Sequence, residues 1–405
     1  MAVFVRLAGF YAAAFAVLGV YMQFFPVWLH DVGGLTHREV TQAQSGQILA
    51  RTVAGPLWAQ RVDRTGRPTA TVVLLSALSL CAFLAFFAAH GLPLLFGCCA
   101  LFGCVYPPLH PILDNVAMTA GRAHGFRWPR VRLWGSLSFL CAIVAVGAWL
   151  ERASSRLVAG LLVALLAVSL AASLALPKLV RPPNTSPRAP VGQLLRQGRF
   201  VLFLVAAGLL QGSHGGYYYL STLYWRSHGI GEATAGLLWA EGIVAEIALF
   251  FLIRDAAERL RPTTLLLIGA LGAVVRWTLL ALTADVCCIA AVNWLHAASF
   301  GCTYLGSMQY LRLRVADQLQ TTAQGLLGAA TSGIGTVLGM LLAGEVYDRW
   351  PAGSFAAMAG LAAVGGILAL LLRRSRTGFR RDESQRRSSA STTQASVSPA
   401  PPSVS

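Results

Sequence analysis

Charge is what this chain has least of. Asp, Glu, Lys and Arg make up 12% of its 405 residues, while 56% are hydrophobic and the mean hydropathy is +0.62. A soluble domain carries roughly twice that charged fraction. There is more apolar sequence than one water-soluble core can hide, and lipid is the place for the rest. Paired cysteine motifs are also missing. The eight cysteines fall inside or at the edge of apolar stretches with no CxxC spacing, which reads as small apolar filler and not as a disulfide or metal framework. No P-loop and no GxGxxG following a strand pattern is present, which removes an ATP-driven pump. The first apolar stretch, about 6–29, is too long for a signal-peptide core and has no small-residue cleavage site after it. It is expected to be an uncleaved first helix.

Apolar stretches of about twenty residues recur, bounded by charge, Pro or Gly. They predict twelve membrane-spanning helices at about 6–29, 38–61, 69–89, 92–118, 131–150, 157–176, 200–225, 234–254, 262–283, 286–310, 322–346 and 353–372. After Leu372 a basic, Ser-rich tail over 373–405 has too little apolar content to fold. The net charge of +16 could suggest nucleic acid, but the basic residues sit in short clusters between apolar stretches, without an aromatic platform. Such clusters orient membrane proteins.

Placing the N-terminus in the cytoplasm tests the helix count. Arg6, Arg61, Arg64, Arg67, Arg122, Arg127, Arg130, Arg132, Lys178, Arg181, Arg188, Arg196, Arg199, Arg254, Arg259, Arg261, Arg312, Arg314 and seven tail arginines then fall inside, 25 in all. Only Arg38, Arg152, Arg156, Arg226 and Arg349 fall outside, and Arg51 and Arg276 remain within helices. One missed helix would scramble this alternation, so the asymmetry predicts a multi-pass protein of a bacterial inner membrane with both termini cytoplasmic.

The longest internal loop, 177–199, separates an N-terminal six-helix half (1–176) from a C-terminal one (200–372). Asp63-Arg64-Thr65-Gly66-Arg67-Pro68 follows the second helix, and Glu258-Arg259-Leu260-Arg261-Pro262 follows the eighth. This repeat of acid, arginines and proline predicts an all-α membrane protein of two parallel halves, the plan of the major facilitator superfamily. Asp63, Arg64, Gly66 and Arg67 also resemble that superfamily's loop motif between helices two and three, where acid and arginines latch a closed state. The leading Gly of that motif is Ala59 here. The same residues also read as ordinary positive-inside charge.

Charges inside spanning helices are costly and mark function by default. They are Arg51, Asp114, Glu241, Glu246, Arg276 and Glu345, joined by His110, His214 and His296. Glu246 lies midway along helix 8, where burial and a nearby arginine tune a carboxylate between charged and neutral. It is a candidate proton carrier or half of a permanent ion pair with Arg276. Glu241 is about 140° round the same helix and does not share its face. Asp114 is a candidate for proton coupling or for a cap or latch at the end of helix 4. Arg51, then Arg276, are candidates to hold an anionic substrate bidentately or to neutralise a helix acid. Gln211, His214 and Tyr218 share one helical face, as do Asn293, His296 and Phe300. The two stripes can line one cavity, the histidines serving the substrate, the proton or only packing. Gly335-x-x-x-Gly339 reads as a close-packing surface.

Several fragments then fall into a familiar order: Val131-Arg132-Leu133-Trp134-Gly135-Ser136, Leu210-Gln211-Gly212-Ser213-His214, Tyr217-Tyr218, Tyr224-Trp225, Val244-Ala245-Glu246, Val275-Arg276-Trp277 and Leu295-His296. Together, over roughly residues 5–370, they resemble the 3-phenylpropionic acid transporter family, a branch of the major facilitator superfamily related to nucleoside–proton symporters. The resemblance implies a non-enzymatic, cofactor-free symporter driven by the proton gradient and taking up an aromatic carboxylate. It carries over to Gln211, His214, Glu246, Arg276, His296 and Arg51. Glu241 departs from the family pattern, where a small polar residue is usual, and leaves a changed substrate open. Proton-coupled nucleoside or sugar uptake is the alternative, as is efflux of a drug or metabolite by proton antiport. Against efflux, the Gly-Pro-x-x-Gly-Gly pattern of many exporters is absent between Leu133 and Leu150. The expected partners are the small substrate, protons and the bilayer, with the chain a monomer that binds no nucleic acid.

Overall fold

In the computed structural model, residues 1–180, 191–252, 259–316 and 319–374 are described. Glu258 of the repeat, Arg181, Arg188, Arg254 and the tail after Arg374 lie outside them. The long helices in chain order are α1 (Ala2–Asp31), α2 (His37–Thr65), α3 (Pro68–Ala88), α4 (Gly91–His124), α5 (Trp128–Leu150), α6 (Leu157–Leu174), α7 (Gly198–Ser227), α8 (Glu232–Leu252), α9 (Pro262–Leu282), α10 (Val286–Arg314), α11 (Gln320–Tyr347) and α12 (Gly353–Arg374). A single turn, Val191–Leu195, precedes α7.

Local chemistry sets these boundaries. Thr36 and Glu39 form a reciprocal capping box that starts α2, and Gly66 ends it in the left-handed conformation (φ 64°) that a side chain would strain. Arg67 caps α3 with Pro68 in its first turn, and Arg261 and Pro262 repeat that arrangement at α9. The described part of the repeat therefore occupies equivalent places. Pro107, Pro108 and Pro111 lie within α4 without ending it, as membrane helices allow when neighbours satisfy the freed carbonyls.

Ten of these helices are long and apolar enough to cross a membrane. The other two, α2 and α8, carry the charges that make the chain interesting: Arg51 among several in α2, and Glu232, Glu241 and Glu246 in α8.

Buried apolar side chains gather into separate cores. Two are built from residues 7–176, around Phe25, Phe83 and Phe102 and around Tyr11, Leu109 and Leu113. A larger one is drawn from residues 194–372 and takes in Val27 and Ile143 from the earlier part of the chain, and a small one joins Ile48 to Tyr219, Val337 and Met340. Between the two regions α1 packs on α7, α2 on α11 and α5 on α8. Gly335 and Gly339 meet the backbone of α7 at Gly208 and Gly212 so closely that no Cβ would fit. This is the close packing expected of their spacing.

One end of the molecule is tied by polar contacts across this boundary. Arg226 pairs with Asp31 at 2.5 Å and Arg38 with Glu345 at 2.9 Å, and His37 Nδ1 lies 3.0 Å from Asp348 Oδ1; within the second region Arg226 also reaches Glu232 at 3.3 Å. Arg38 and Arg226, two of the five cations assigned to the sparse side, thus share an end, and Glu151 beside Arg152 packs near Gly231 there.

Candidate functional site

Three helices are irregular where they face one another. The α7 helix breaks at Ser213 and His214; α10 turns at Trp294 and continues as a π-helix over Ala297–Cys302; α11 is π-helical over Ala329–Gly335. Such bulges re-aim side chains and gather at functional sites. Beside the first two lies a cavity of about 140 Å³. Met22 and Phe139 of α1 and α5 close one side; Tyr217, Tyr218, Trp239, Gly242, Ile243, Glu246, Arg276 and His296 of α7 to α10 form the rest.

Arg276 is fully buried and anchors the polar wall. Its Nη1 donates to His296 Nδ1 at 2.9 Å and its Nη2 to Asn293 Oδ1 at 3.1 Å. Its guanidinium lies 4.4 Å from the ring centre of Tyr217 and 4.5 Å from that of Trp277, contacts that favour a cation where water is absent. Asn293 is held in turn, accepting from Tyr217 Oη at 3.4 Å and donating to Leu238 O at 3.0 Å. Both of these hydrogen-bond partners are neutral acceptors, and among the described residues its Nε has no hydrogen-bond partner.

This geometry fixes a tautomer. A guanidinium can only donate, so Nδ1 of His296 must carry a lone pair and the ring proton sits on Nε2. Nε2 lies 3.5 Å from Glu246 Oε2. Glu246 and Arg276 are therefore joined through one neutral imidazole and not by direct contact. The Glu246 side chain keeps 23% of its surface exposed, against 8% for His296, so the carboxylate is the more open of the two.

The second stripe is close by. His214 Nδ1 donates to Gln211 O at 3.2 Å, leaving Nε2 to accept from Ser299 Oγ at 3.1 Å. Its ring lies 5.6 Å from that of His296, 5.8 Å from Phe300 and 6.0 Å from Tyr218. The structure thus gathers Glu246, Arg276, His296, Asn293, His214 and Tyr218 into one neighbourhood, with Arg276, His296, Glu246 and Tyr218 on the cavity wall itself. Gln211 contributes its backbone carbonyl, while its side-chain Oε1 is buried with no hydrogen-bond partner among the described residues.

Other expected residues lie elsewhere. Arg51 donates to the backbone carbonyl of Ser332 in the π-helical part of α11, where Thr52 meets Gly333. It joins α2 to α11 and is not among the cavity-lining residues. Asp114 accepts from Tyr11 Oη at 2.5 Å and Trp128 Nε1 at 3.2 Å, and pairs with Arg132 at 3.3 Å, binding α1, α4 and α5. Glu241 accepts from Trp294 Nε1 at 2.6 Å, away from Glu246, as their angular separation requires. Asp63 and Arg64 lie in the last turn of α2, and Gly66 and Arg67 link it to α3. Among the described residues no group of His, Cys, Asp and Glu could hold a metal ion.

Neither Trp239 nor, beyond its place in a family fragment, Tyr217 is among the candidates the sequence singles out. Trp239, Gly242 or Ile243, and Glu246 follow the i, i+3/4, i+7 rule of one helical face, so that signal was available. Met22 and Phe139 carry no such signal, because their role depends on how α1 and α5 meet α7 and α8.

Comparison with known proteins agrees with this architecture. The chain matches the MFS_1 like family over residues 4–357. It is 29% identical to the "Probable 3-phenylpropionic acid transporter" of Escherichia coli (strain K12) over 360 residues, covering 86% of this chain and 92% of that protein. It is 28% identical to the maltose permease of Geobacillus stearothermophilus, covering 91% of this chain and 94% of the permease. The crystal structure of the nucleoside transporter NupG superposes with a TM-score of 0.81 at 15% identity, covering 93% of this chain and all of that one, a likeness of fold. The chain belongs to the MFS_1 like family and is a multi-pass membrane transporter of the major facilitator superfamily.

Proposed function

We propose that this transporter takes up a small aromatic monocarboxylate, such as 3-phenylpropionate, together with a proton. The observation that carries the reading is Arg276: a buried guanidinium on the wall of an aromatic cavity, held by two neutral acceptors and by no carboxylate among the described residues. A buried cation so placed suits an anion that comes and goes. The rings of Tyr217, Tyr218, Trp239 and Phe139 suit a flat apolar body. The volume, about 140 Å³, is below the ~300 Å³ at which pockets for drug-sized ligands begin. That favours a single ring with a short acid arm over a disaccharide.

Charge balance supplies the coupling. In the empty site the charges of Glu246 and Arg276 offset each other through His296. Protonation of Glu246 leaves Arg276 uncompensated, and a substrate carboxylate then restores neutrality. Neither the proton alone nor the anion alone leaves a neutral low-dielectric site, so the two favour occupancy together. Asn293 and Tyr217 keep the guanidinium aimed, and His214 with Ser299 supports the face on which His296 sits.

The wider architecture follows. All twelve long helices span the membrane, with Arg51 of α2 and Glu246 of α8 turned toward neighbouring helices. They form two six-helix halves, 1–176 and 200–372, joined by 177–199, with the 373–405 tail and both termini in the cytoplasm of a bacterial inner membrane. The helix pairings support this: exchanging each helix with the one six places on converts the α2–α11 contact into the α8–α5 contact and returns α1–α7 to itself. The ionic end at Asp31, Arg38, Arg226 and Glu345 is the outer gate. Asp63, Arg64, Gly66 and Arg67 act as the cytoplasmic latch, and Arg51 joins the halves through α11. The functional unit is a monomer.

Proteoliposome uptake tests the reading. An imposed inward proton gradient should drive accumulation of 3-phenylpropionate above the equilibrium level. Uptake that ignores the gradient, or that occurs only for nucleosides or maltose, would overturn it.

A further inference from the structure

A second and larger cavity, about 470 Å³, lies outside the transport site between the ends of α2 and α3. Arg61, Thr65, Arg67, Ala70, Thr71 and Leu74 line it. The two threonine hydroxyls donate to their own helix, Thr65 to Arg61 O at 2.8 Å and Thr71 to Arg67 O at 3.1 Å. Their protons are committed, which leaves the two guanidinium groups as the side-chain donors facing the space. Guanidinium forks match phosphate oxygens. The opposite wall, Ala70 and Leu74, is apolar.

That wall continues away from the arginines. Ala70, Leu74, Leu78, Cys81, Leu84 and Phe87 recur every three or four residues along α3. All are exposed, Leu74 by 37%, Leu78 by 36%, Leu84 by 48% and Phe87 by 54%. A cationic cavity at one end of a spanning helix thus opens onto an unbroken apolar track along it. A soluble anion would use the first feature and leave the second unused. An amphiphile with an anionic head and acyl chains uses both.

We infer that this cavity is a binding site for an anionic phospholipid, with the headgroup phosphate held between Arg61 and Arg67 and an acyl chain laid along Leu74, Leu78 and Leu84. Because Arg67 belongs to the turn between α2 and α3, an occupied site braces that turn against the rest of the bundle. The inference concerns a surface the substrate does not reach and stands independently of the cargo.

The test is lipid binding by the purified full-length chain in neutral detergent, followed by native mass spectrometry and by thermal unfolding. The probes are phosphatidylglycerol, phosphatidylcholine and inorganic phosphate. Phosphatidylglycerol should bind and raise the unfolding midpoint; phosphatidylcholine should bind more weakly; inorganic phosphate should do neither. Replacing both Arg61→Gln and Arg67→Gln should weaken phosphatidylglycerol on the order of tenfold, while Arg130→Gln, a basic residue outside the cavity, should leave it unchanged. Leu74→Trp fills the apolar wall without altering charge and should weaken it too, which keeps the test decisive if the double variant folds poorly. Equal stabilisation by inorganic phosphate would make this a free-anion site and overturn the lipid assignment. Retention of full phosphatidylglycerol affinity by the double variant or by Leu74→Trp, or an equal loss in Arg130→Gln, would overturn the site.

Discussion

Two clusters in this protein bring an acid and an arginine together, and they are built differently. Asp114 touches Arg132 directly at 3.3 Å and is further held by Tyr11 and Trp128. Glu246 and Arg276 are kept apart, with the neutral ring of His296 between them. In the first, every strong donor near the acid is already used, and Arg132 also packs 5.2 Å from the ring of Phe15. It has little reason to change, and it ties three helices at one end. In the second, the carboxylate has one long contact and a partly exposed side chain, and the guanidinium has no acid partner among the described residues. Under the proposed function the direct pair serves as a fastener, while the interrupted pair exchanges a proton at one end and an anion at the other.

Substitutions can break this contrast, and they should do so unequally. Arg276→Gln should have the largest effect. Losing a buried charge-assisted contact to a carboxylate costs about 2–5 kcal/mol, so uptake measured in vesicles should fall by roughly 100-fold or more. Glu246→Gln should come next and should be selective: accumulation against a gradient disappears, while exchange of labelled for unlabelled substrate persists. Full accumulation by this variant would remove Glu246 as the proton site. Asn293→Ala removes one acceptor of Arg276 and the partner of Tyr217; a hydrogen bond to a charged group is worth ~1.5–3 kcal/mol, so KM should rise about tenfold or more with coupling intact. Asp114→Asn should have the smallest effect. Its pair is partly exposed, 39% for Arg132 and 25% for Asp114, and such pairs contribute at most ~1 kcal/mol. Thermal stability should fall slightly while KM and gradient dependence stay as they were. A loss of coupling in that variant would erase the distinction between the clusters.

The helices and the polar faces were legible in the sequence, for identifiable reasons, but the contrast between the two clusters was not. Apolar runs and their basic boundaries place helices well because lipid demands both, and Arg-Pro at the starts of α3 and α9 shows as a repeat. The spacing of Gln211, His214 and Tyr218 and of Asn293, His296 and Phe300 marked faces of α7 and α10 that the structure brings close together. What could not be read was which acid meets which base. Arg51 and Arg276 look alike along the chain, both lone arginines within helices; only packing sends one to the carbonyl of Ser332 and the other to the cavity. The π-helical turns over Ala297–Cys302 and Ala329–Gly335 have no clear sequence signature either. Trp239 and Tyr217 were hidden among the many aromatics that simply fill cores. That His296 stands between Glu246 and Arg276 is a fact of three helices at once, and no single periodicity contains it.

The central claim is that the interrupted pair couples one proton to one carboxylate. Its most direct test is the proton count during uptake, read with a pH-sensitive dye and a membrane-potential dye in proteoliposomes holding the purified chain. The account predicts that each 3-phenylpropionate anion entering carries one proton with it, with no net charge movement, and that Glu246→Gln loses the proton signal. Substrate entry in the native chain with no accompanying proton, or with a net current, would contradict it.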